Sequence, residues 1–122
     1  MTEEKIIVVP QDEFLDVIVQ MDEYATVSYH ALRDFILSDD LMDYSDGEGT
    51  LVDLCEFYAG CLRTKEVILD AMQKEVDSKG AKVPENSIVI EDEDYLLITT
   101  LLTGLLNIER TLLGQNVSLK QH

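Results

Sequence analysis

The chain has 122 residues, a length typical of one domain built around a single hydrophobic core. Its 25 acidic side chains outnumber the 9 basic ones, so the formal net charge is −16, and phosphate backbones and anionic membrane surfaces repel the chain. With 46% hydrophobic residues, the composition is that of a folded protein and excludes a disordered one. We therefore expect neither direct nucleic-acid binding nor a membrane partner.

The first predicted elements are a short strand and a long helix. Residues 5–9 are rich in β-branched side chains, and Pro10 closes this run. Helical spacing then extends from Gln11 to about Ser38, and the β-branched and hydroxyl residues at 26–28 mark a place where the helix could break. The inward stripe of this helix comprises Phe14, Ile18, Met21, Ala25, Ser28, Leu32 and Phe35.

A second long helix is predicted after an acidic loop. Residues 39–49 contain two glycines and many carboxylates, which favours a loop between helices. Thr50 is a candidate N-cap, and helical spacing extends from Leu51 to about Ser78. Gly80 and Pro84 follow in the order that usually ends a helix.

The last predicted elements repeat the order of the first. Residues 87–90 form a second β-rich run, Asp92 is a candidate cap, and a third helix extends from Glu93 to Leu113. Gly114 supplies a C-terminal stop, and we expect residues 115–122 to form a mobile tail.

The two strand–helix units echo each other at a constant offset of 81 residues. Ile7-Val8-Val9 corresponds to Ile88-Val89-Ile90, and each run is followed by an acidic helix start. Duplication explains this echo, and so do two independent uses of the same helix-start chemistry. In either case the two strands are candidates to pair with each other. The predicted fold is one mostly α domain over residues 1–122, with three long antiparallel helices and two short strands before the first and third.

The third helix is apolar on nearly every face, and two partner helices cannot cover it fully. Its uncharged stretch from Tyr95 to Ile108 is only 14 residues long and includes threonines, which we interpret as too short and too polar for a membrane span. We therefore predict a homo-oligomer. Gly60 and Gly104 are predicted to lie where helix backbones approach closely. The predicted interface comprises Leu101, Leu102, Leu105, Leu106 and Leu112.

Acidic residues are concentrated in the first half of the chain. Residues 1–60 hold 15 of the 25 acids and 2 of the 9 bases. Like charges one turn apart destabilise a helix, so the arrangement has a cost that solubility alone does not require. The predicted partner-binding surface comprises Asp12, Asp16, Asp22, Glu23, Asp34, Asp39, Asp40, Asp43, Asp46 and Glu48.

These observations favour a small non-catalytic inhibitor or regulator whose carboxylates mimic nucleic acid and dock on a basic, nucleic-acid-binding protein. Small acidic inhibitors that phages encode are similar in general character. One alternative is an oligomeric helical protein that binds a small anionic ligand or nucleotide through Arg63, Lys65 and Arg110. A second is a structural oligomer whose acidity serves solubility, with these bases paired to Glu56, Glu66 and Glu109.

No pattern in the sequence predicts a reaction, a metal or a cofactor. Residues 46–51 resemble the centre of an EF-hand calcium loop, but its first and twelfth ligand positions fall on Tyr44 and Cys55. His30 is the one histidine inside the predicted fold, and the sequence gives no pattern from which to propose a triad around it. We therefore expect a protein that is not an enzyme.

The N-terminus and the cysteines favour a reducing cytosol, bacterial or of an infected cell. The chain begins with acidic residues and a short apolar run, unlike a secretory signal. Cys55 and Cys61 are six residues apart within one helix and project in different directions, so a bridge between them is excluded.

Overall fold

A computed structural model describes residues 5–37 and 47–114, and its elements occur in the predicted order. They are β1 (Ile6–Pro10), α1 (Gln11–Leu37), α2 (Gly47–Gln73), β2 (Ser87–Glu91) and α3 (Asp92–Gly114). The mostly α fold with three long helices and two short strands before the first and third is confirmed. The predicted tail at 115–122 lies outside the described residues.

α1 is continuous through residues 26–28, where the β-branched and hydroxyl residues indicate a break. The hydroxyl of Thr26 donates to the carbonyl oxygen of Asp22 at 2.9 Å, and that of Ser28 donates to the carbonyl oxygen of Ala25 at 3.0 Å. Both hydroxyls are therefore satisfied inside the helix instead of competing with it.

The predicted bounds of the second helix are wrong at both ends. α2 begins at Gly47, so residues 47–49 are helical and Thr50 lies inside the helix rather than at its N-cap. α2 ends at Gln73, and Gly80 serves a separate turn, in which the Ala81 amide donates to the Ser78 carbonyl at 2.9 Å. Lys79 (φ 52°) and Gly80 (φ 79°) are both left-handed there, as a type I′ turn requires.

The predicted pairing of the two strands is confirmed. β1 and β2 are antiparallel, with Val8 directly opposite Val89, its counterpart at the offset of 81. The flanking hydrogen bonds obey the same symmetry: the Gln11 amide donates to the Asn86 carbonyl at 2.8 Å, and the Asp92 amide to the Lys5 carbonyl at 2.9 Å. The sequence echo thus corresponds to a local twofold axis between Val8 and Val89.

One face of the ribbon packs on the helices. Val9 and Ile90 are buried, and they join a core cluster with buried residues of all three helices. This burial supplies the support that an isolated two-stranded ribbon lacks. The other buried members of this ribbon cluster are Phe14, Ile68, Ala71 and Ile98.

A second core cluster lies further along the helices, where Tyr24 packs edge-to-face on Phe57 with ring centroids 5.8 Å apart. Phe57 is only 1% exposed and is the largest of the fully buried side chains. The buried members of this distal cluster are Met21, Ala25, Leu54, Phe57, Cys61, Leu105 and Leu112.

The two helical glycines differ. A Cβ added to Gly60 would lie 2.7 Å from Cδ2 of Leu105, so the side chain of Leu105 on α3 packs directly against this position of α2. The contact joins a backbone to a side chain and is not the predicted close approach of two helix backbones. Apart from its chain neighbours and the nearby backbone of its own helix, no described atom lies within 4 Å of a Cβ added to Gly104, so the predicted close approach is wrong there within the chain.

We expect Gly60→Leu to lower the free energy of unfolding by about 1–2 kcal/mol, because overpacking against Leu105 outweighs the gain in helix propensity. Urea unfolding of both variants measures this effect. Ala59→Leu, at the exposed neighbouring position of the same helix, is the matched control and is expected to change stability by less than about 0.5 kcal/mol. Equal effects at the two positions would contradict the prediction.

Candidate acidic interaction surface

Four carboxylates lie along one outward face of α1. By helix geometry Asp12, Asp16, Glu23 and Asp34 project within an arc of about 40°, opposite the buried Phe14. All four are exposed. We call these four residues the acidic face.

Within the described residues, the acidic face is almost free of basic partners. Its only ion pair is the long one between Arg33 and Asp34, at 3.9 Å with both side chains exposed. Exposed pairs of this kind contribute little to stability. The charge of the face is therefore available to a partner.

Asp22 does not belong to this face. Its carboxylate accepts a hydrogen bond from Lys65 Nζ on α2 at 2.7 Å, across the α1–α2 contact. This pair ties two helices of the chain together. Asp22, predicted to bind a partner, and Lys65, predicted to bind a ligand, therefore form an ion pair with each other.

The side chains of the other five predicted acids lie outside the described residues. Asp39, Asp40, Asp43 and Asp46 lie outside the described residues, and so does the side chain of Glu48, although its backbone is in the first turn of α2. The predicted acidic loop at 39–49 is thus wrong at residues 47–49.

The spacing of the acidic face matches that of nucleic-acid phosphates at one step only. Asp12 and Asp16 are about 6 Å apart along the helix axis, whereas the next intervals are about 10 and 16 Å. The face therefore offers a charged line about 33 Å long rather than a regular phosphate-like array.

The three bases of the ligand-binding alternative do not converge. Arg63 and Lys65, two residues apart on α2, project about 160° apart on the helix, and Lys65 is bonded to Asp22. Lys65 therefore pairs with Asp22 and with none of Glu56, Glu66 and Glu109, the partners predicted for this set of bases. Arg63 and Arg110 are exposed and form no ion pair with any described residue.

One basic residue that the sequence analysis missed, Lys74 just after α2, forms ion pairs with both β2 and α3. Lys74 Nζ lies 3.0 Å from Glu91 Oε2 at the end of β2 and 3.8 Å from Asp94 Oδ2 in the first turn of α3. The two carboxylates are about three-quarters buried. Four consecutive acids at 91–94 were the available signal, because so much like charge favours a nearby cation.

Two predicted interface residues lie in the core. Leu105 is 7% exposed and Leu112 is fully buried in the distal cluster, so neither is available to a second copy. Leu101 and Leu102 are half-buried, and Leu106 is 46% exposed. Sequence periodicity identified the apolar residues of α3 without distinguishing the stripe that packs on α2.

α3 has the length and composition of a membrane-spanning helix. Its 18-residue apolar window has a mean hydropathy of 1.4, and 17% of that window is buried. The hydroxyls of Thr99, Thr100 and Thr103 donate to carbonyl oxygens of their own helix, which lowers the cost of removing them from water. Core helices of globular proteins also pass this test of length and composition, so the expectation that α3 does not span a membrane stays a prediction.

The two thiols differ in environment: Cys55 is exposed and Cys61 is buried. Burial, reinforced by the negative charge of Glu109, raises the pKa of the Cys61 thiol from 9.0 to about 12. The charge of Glu109 is also the main cause of the raised pKa of Tyr24, with burial second.

We expect the protein to lose stability at alkaline pH. Well below pH 9 the Cys61 thiol is neutral in both states, but as the pH rises through 9 toward about 12 the unfolded chain releases a proton that the folded chain retains. The free energy of unfolding should therefore fall as pH rises from about 8 to about 10.5. Urea unfolding at the two pH values measures it. Cys61→Ala should flatten this dependence, whereas Cys55→Ser should leave it unchanged; the reverse pattern would contradict the assignment.

The remaining motifs bring no catalytic or metal-binding geometry together. Gly47 to Thr50 are helical, so Gly49 is not the sharp turn that an EF-hand loop needs. Among the described residues no group of three or more histidine, cysteine or carboxylate side chains could hold a metal ion. His30 is exposed and packs edge-on against Tyr29, with ring centroids 5.8 Å apart.

Comparison with known proteins adds no relative: no family model, no curated protein and no solved structure matches this chain.

Proposed function

We propose that this protein is a small acidic inhibitor or regulator that docks the acidic face of α1 on a basic, nucleic-acid-binding protein. The observation that supports the proposal is the outward row of Asp12, Asp16, Glu23 and Asp34, which no base of the described chain neutralises apart from the long Arg33 contact. A rigid helix presents this charge, so the binding surface is formed before the partner arrives.

Electrostatic attraction then accelerates the encounter and selects a partner with a basic groove. Nucleic acid is the natural competitor for such a groove. The irregular spacing of the face implies that it covers the groove as a charged rod, without copying successive phosphates one by one. The bases proposed for a small-ligand site do not converge, so the acidic face is the better supported of the two functions.

The test is a pull-down with the full chain as bait, repeated at low and high salt and with double-stranded DNA as competitor. The test variant is Asp16→Lys/Glu23→Lys/Asp34→Lys, which spares Asp12 because a carboxylate in the first turn stabilises α1. The control variant is Glu56→Lys/Glu66→Lys/Asp70→Lys, which makes the same charge change on exposed positions of α2.

We expect the wild-type chain and the α2 variant to retain a basic protein that high salt or DNA releases, and the α1 variant to lose it. Equal loss in both variants would show that only total charge matters. Full retention by the α1 variant would refute the acidic face as the binding surface.

A further inference from the structure

A second stripe runs along α3, on the side away from the buried residues of this helix, and four of its six members are exposed while Asp92 and Thr99 are half-buried. It consists of positions 4, 3, 4, 3 and 4 residues apart, which by helix geometry share an arc of about 80°. Leu96 is 65% exposed and Leu106 is 46% exposed. The members of this α3 stripe are Asp92, Leu96, Thr99, Thr103, Leu106 and Arg110.

The stripe is complementary to itself when it is reversed. In an antiparallel pair of α3 helices, Leu96 meets the partner's Leu106, and Thr99 meets the partner's Thr103. At each end, Asp92 meets the partner's Arg110. One symmetric contact therefore joins two apolar pairs and two opposite-charge pairs, as a twofold interface requires.

Charge also selects this surface for self-association. A chain of net charge −16 repels its own copies over most of its surface, but α3 carries no charged residue from Tyr95 to Ile108. Neither Asp92 nor Arg110 forms an ion pair with another described residue. The only charged residues of the α3 stripe are thus Asp92 and Arg110, which attract each other across the antiparallel pair of helices.

The polar residues in the middle of the stripe do not oppose burial. Thr99 Oγ1 donates to the Leu96 carbonyl at 2.9 Å, and Thr103 Oγ1 donates to the Thr99 carbonyl at 2.9 Å. Covering these hydroxyls therefore leaves no donor unsatisfied. Tyr95 and Leu113 are also exposed on the edge of the stripe and extend the apolar contact.

We propose that a second copy of this chain covers the α3 stripe, helix against antiparallel helix, with Asp92 facing the partner's Arg110. This self-association is separate from the docking of the acidic face, so either can fail without the other.

Sedimentation of the full chain tests the stoichiometry, with an expected mass of twice 13.8 kDa. Leu96→Glu and Arg110→Asp should each raise the dimer dissociation constant by at least about tenfold, since one buries a charge and the other opposes Asp92 with a like charge. The matched controls are Thr100→Glu, exposed on another side of α3, and Arg63→Asp, exposed on α2; both should dimerise as the wild type does. Circular dichroism checks that all four variants remain helical. If either Leu96→Glu or Arg110→Asp fails to fold, the other variant still tests the proposed interface.

Disulfide trapping tests the direction of the helices. In a Cys55→Ser background, chains carrying Thr99→Cys are mixed with chains carrying Thr103→Cys and oxidised. The antiparallel register predicts mixed dimers joined between positions 99 and 103, whereas a parallel pair would join 99 to 99. Dominant 99-to-99 bridges would overturn the proposal. So would a monomeric chain at about 100 μM, far above the usual range of specific association. Flotation of that monomer with phosphatidylcholine vesicles, lost in Leu96→Glu, would assign the stripe to a membrane instead.

Discussion

Leu105→Glu is expected to leave the chain unfolded at neutral pH. Leu105 is 7% exposed in the distal cluster and lies against Gly60, so a carboxylate there would lose its hydration without gaining a cation. Removing an unpaired charge from water costs several kcal/mol, which is comparable to the ~5–15 kcal/mol that stabilises a whole domain. Loss of the far-UV helical signal at pH 7 measures this effect.

Leu106→Glu is the matched control, because the neighbouring side chain is 46% exposed. This variant is expected to retain the helical signal while it weakens association of the α3 stripe. A folded Leu105→Glu chain would contradict the placement of α3 on α2.

Phe57→Ala is expected to lower the free energy of unfolding by about 3–5 kcal/mol. Phe57 is 1% exposed and packs edge-to-face on Tyr24, so truncation removes a large apolar side chain and an aromatic contact between α1 and α2. Chemical denaturation measures the change. Val52→Ala, 49% exposed on the same helix, should cost less than about 1 kcal/mol. A similar cost at both positions would mean that Phe57 is not in the core.

The order of the elements could be predicted because local chemistry and packing agree. Alternation and β-branched residues mark both strands, and the inward stripe of α1 contains Phe14 and Met21, which are buried. The ends of α2 could not be predicted, because Gly80 favours helix termination equally well when it serves a turn beyond the helix. Composition likewise marked 39–49 as loop, although the helix already includes 47–49.

The candidate surface was predicted only in part, since sequence position does not give direction in space. Asp16 and Asp22 are both aspartates of the same predicted helix, but only Asp22 faces α2 and accepts a hydrogen bond from Lys65. Leu105 and Leu106 are neighbours of the same type, and only Leu105 contacts Gly60. Both distinctions depend on where another helix lies, which is tertiary information.

The pairing of Val8 with Val89 has a consequence for the order of folding. The contact joins residues 81 positions apart and encloses α1 and α2 entirely. Closing so long a loop has an entropic cost that local contacts do not have, so the ribbon should form after α1 and α2 have docked. The same hydrogen bonds hold the first residues of α1 and α3, so opening the ribbon releases both helix starts at once. Slow amide exchange at Gln11 and Asp92 would then report one shared opening event rather than separate fraying of two helices.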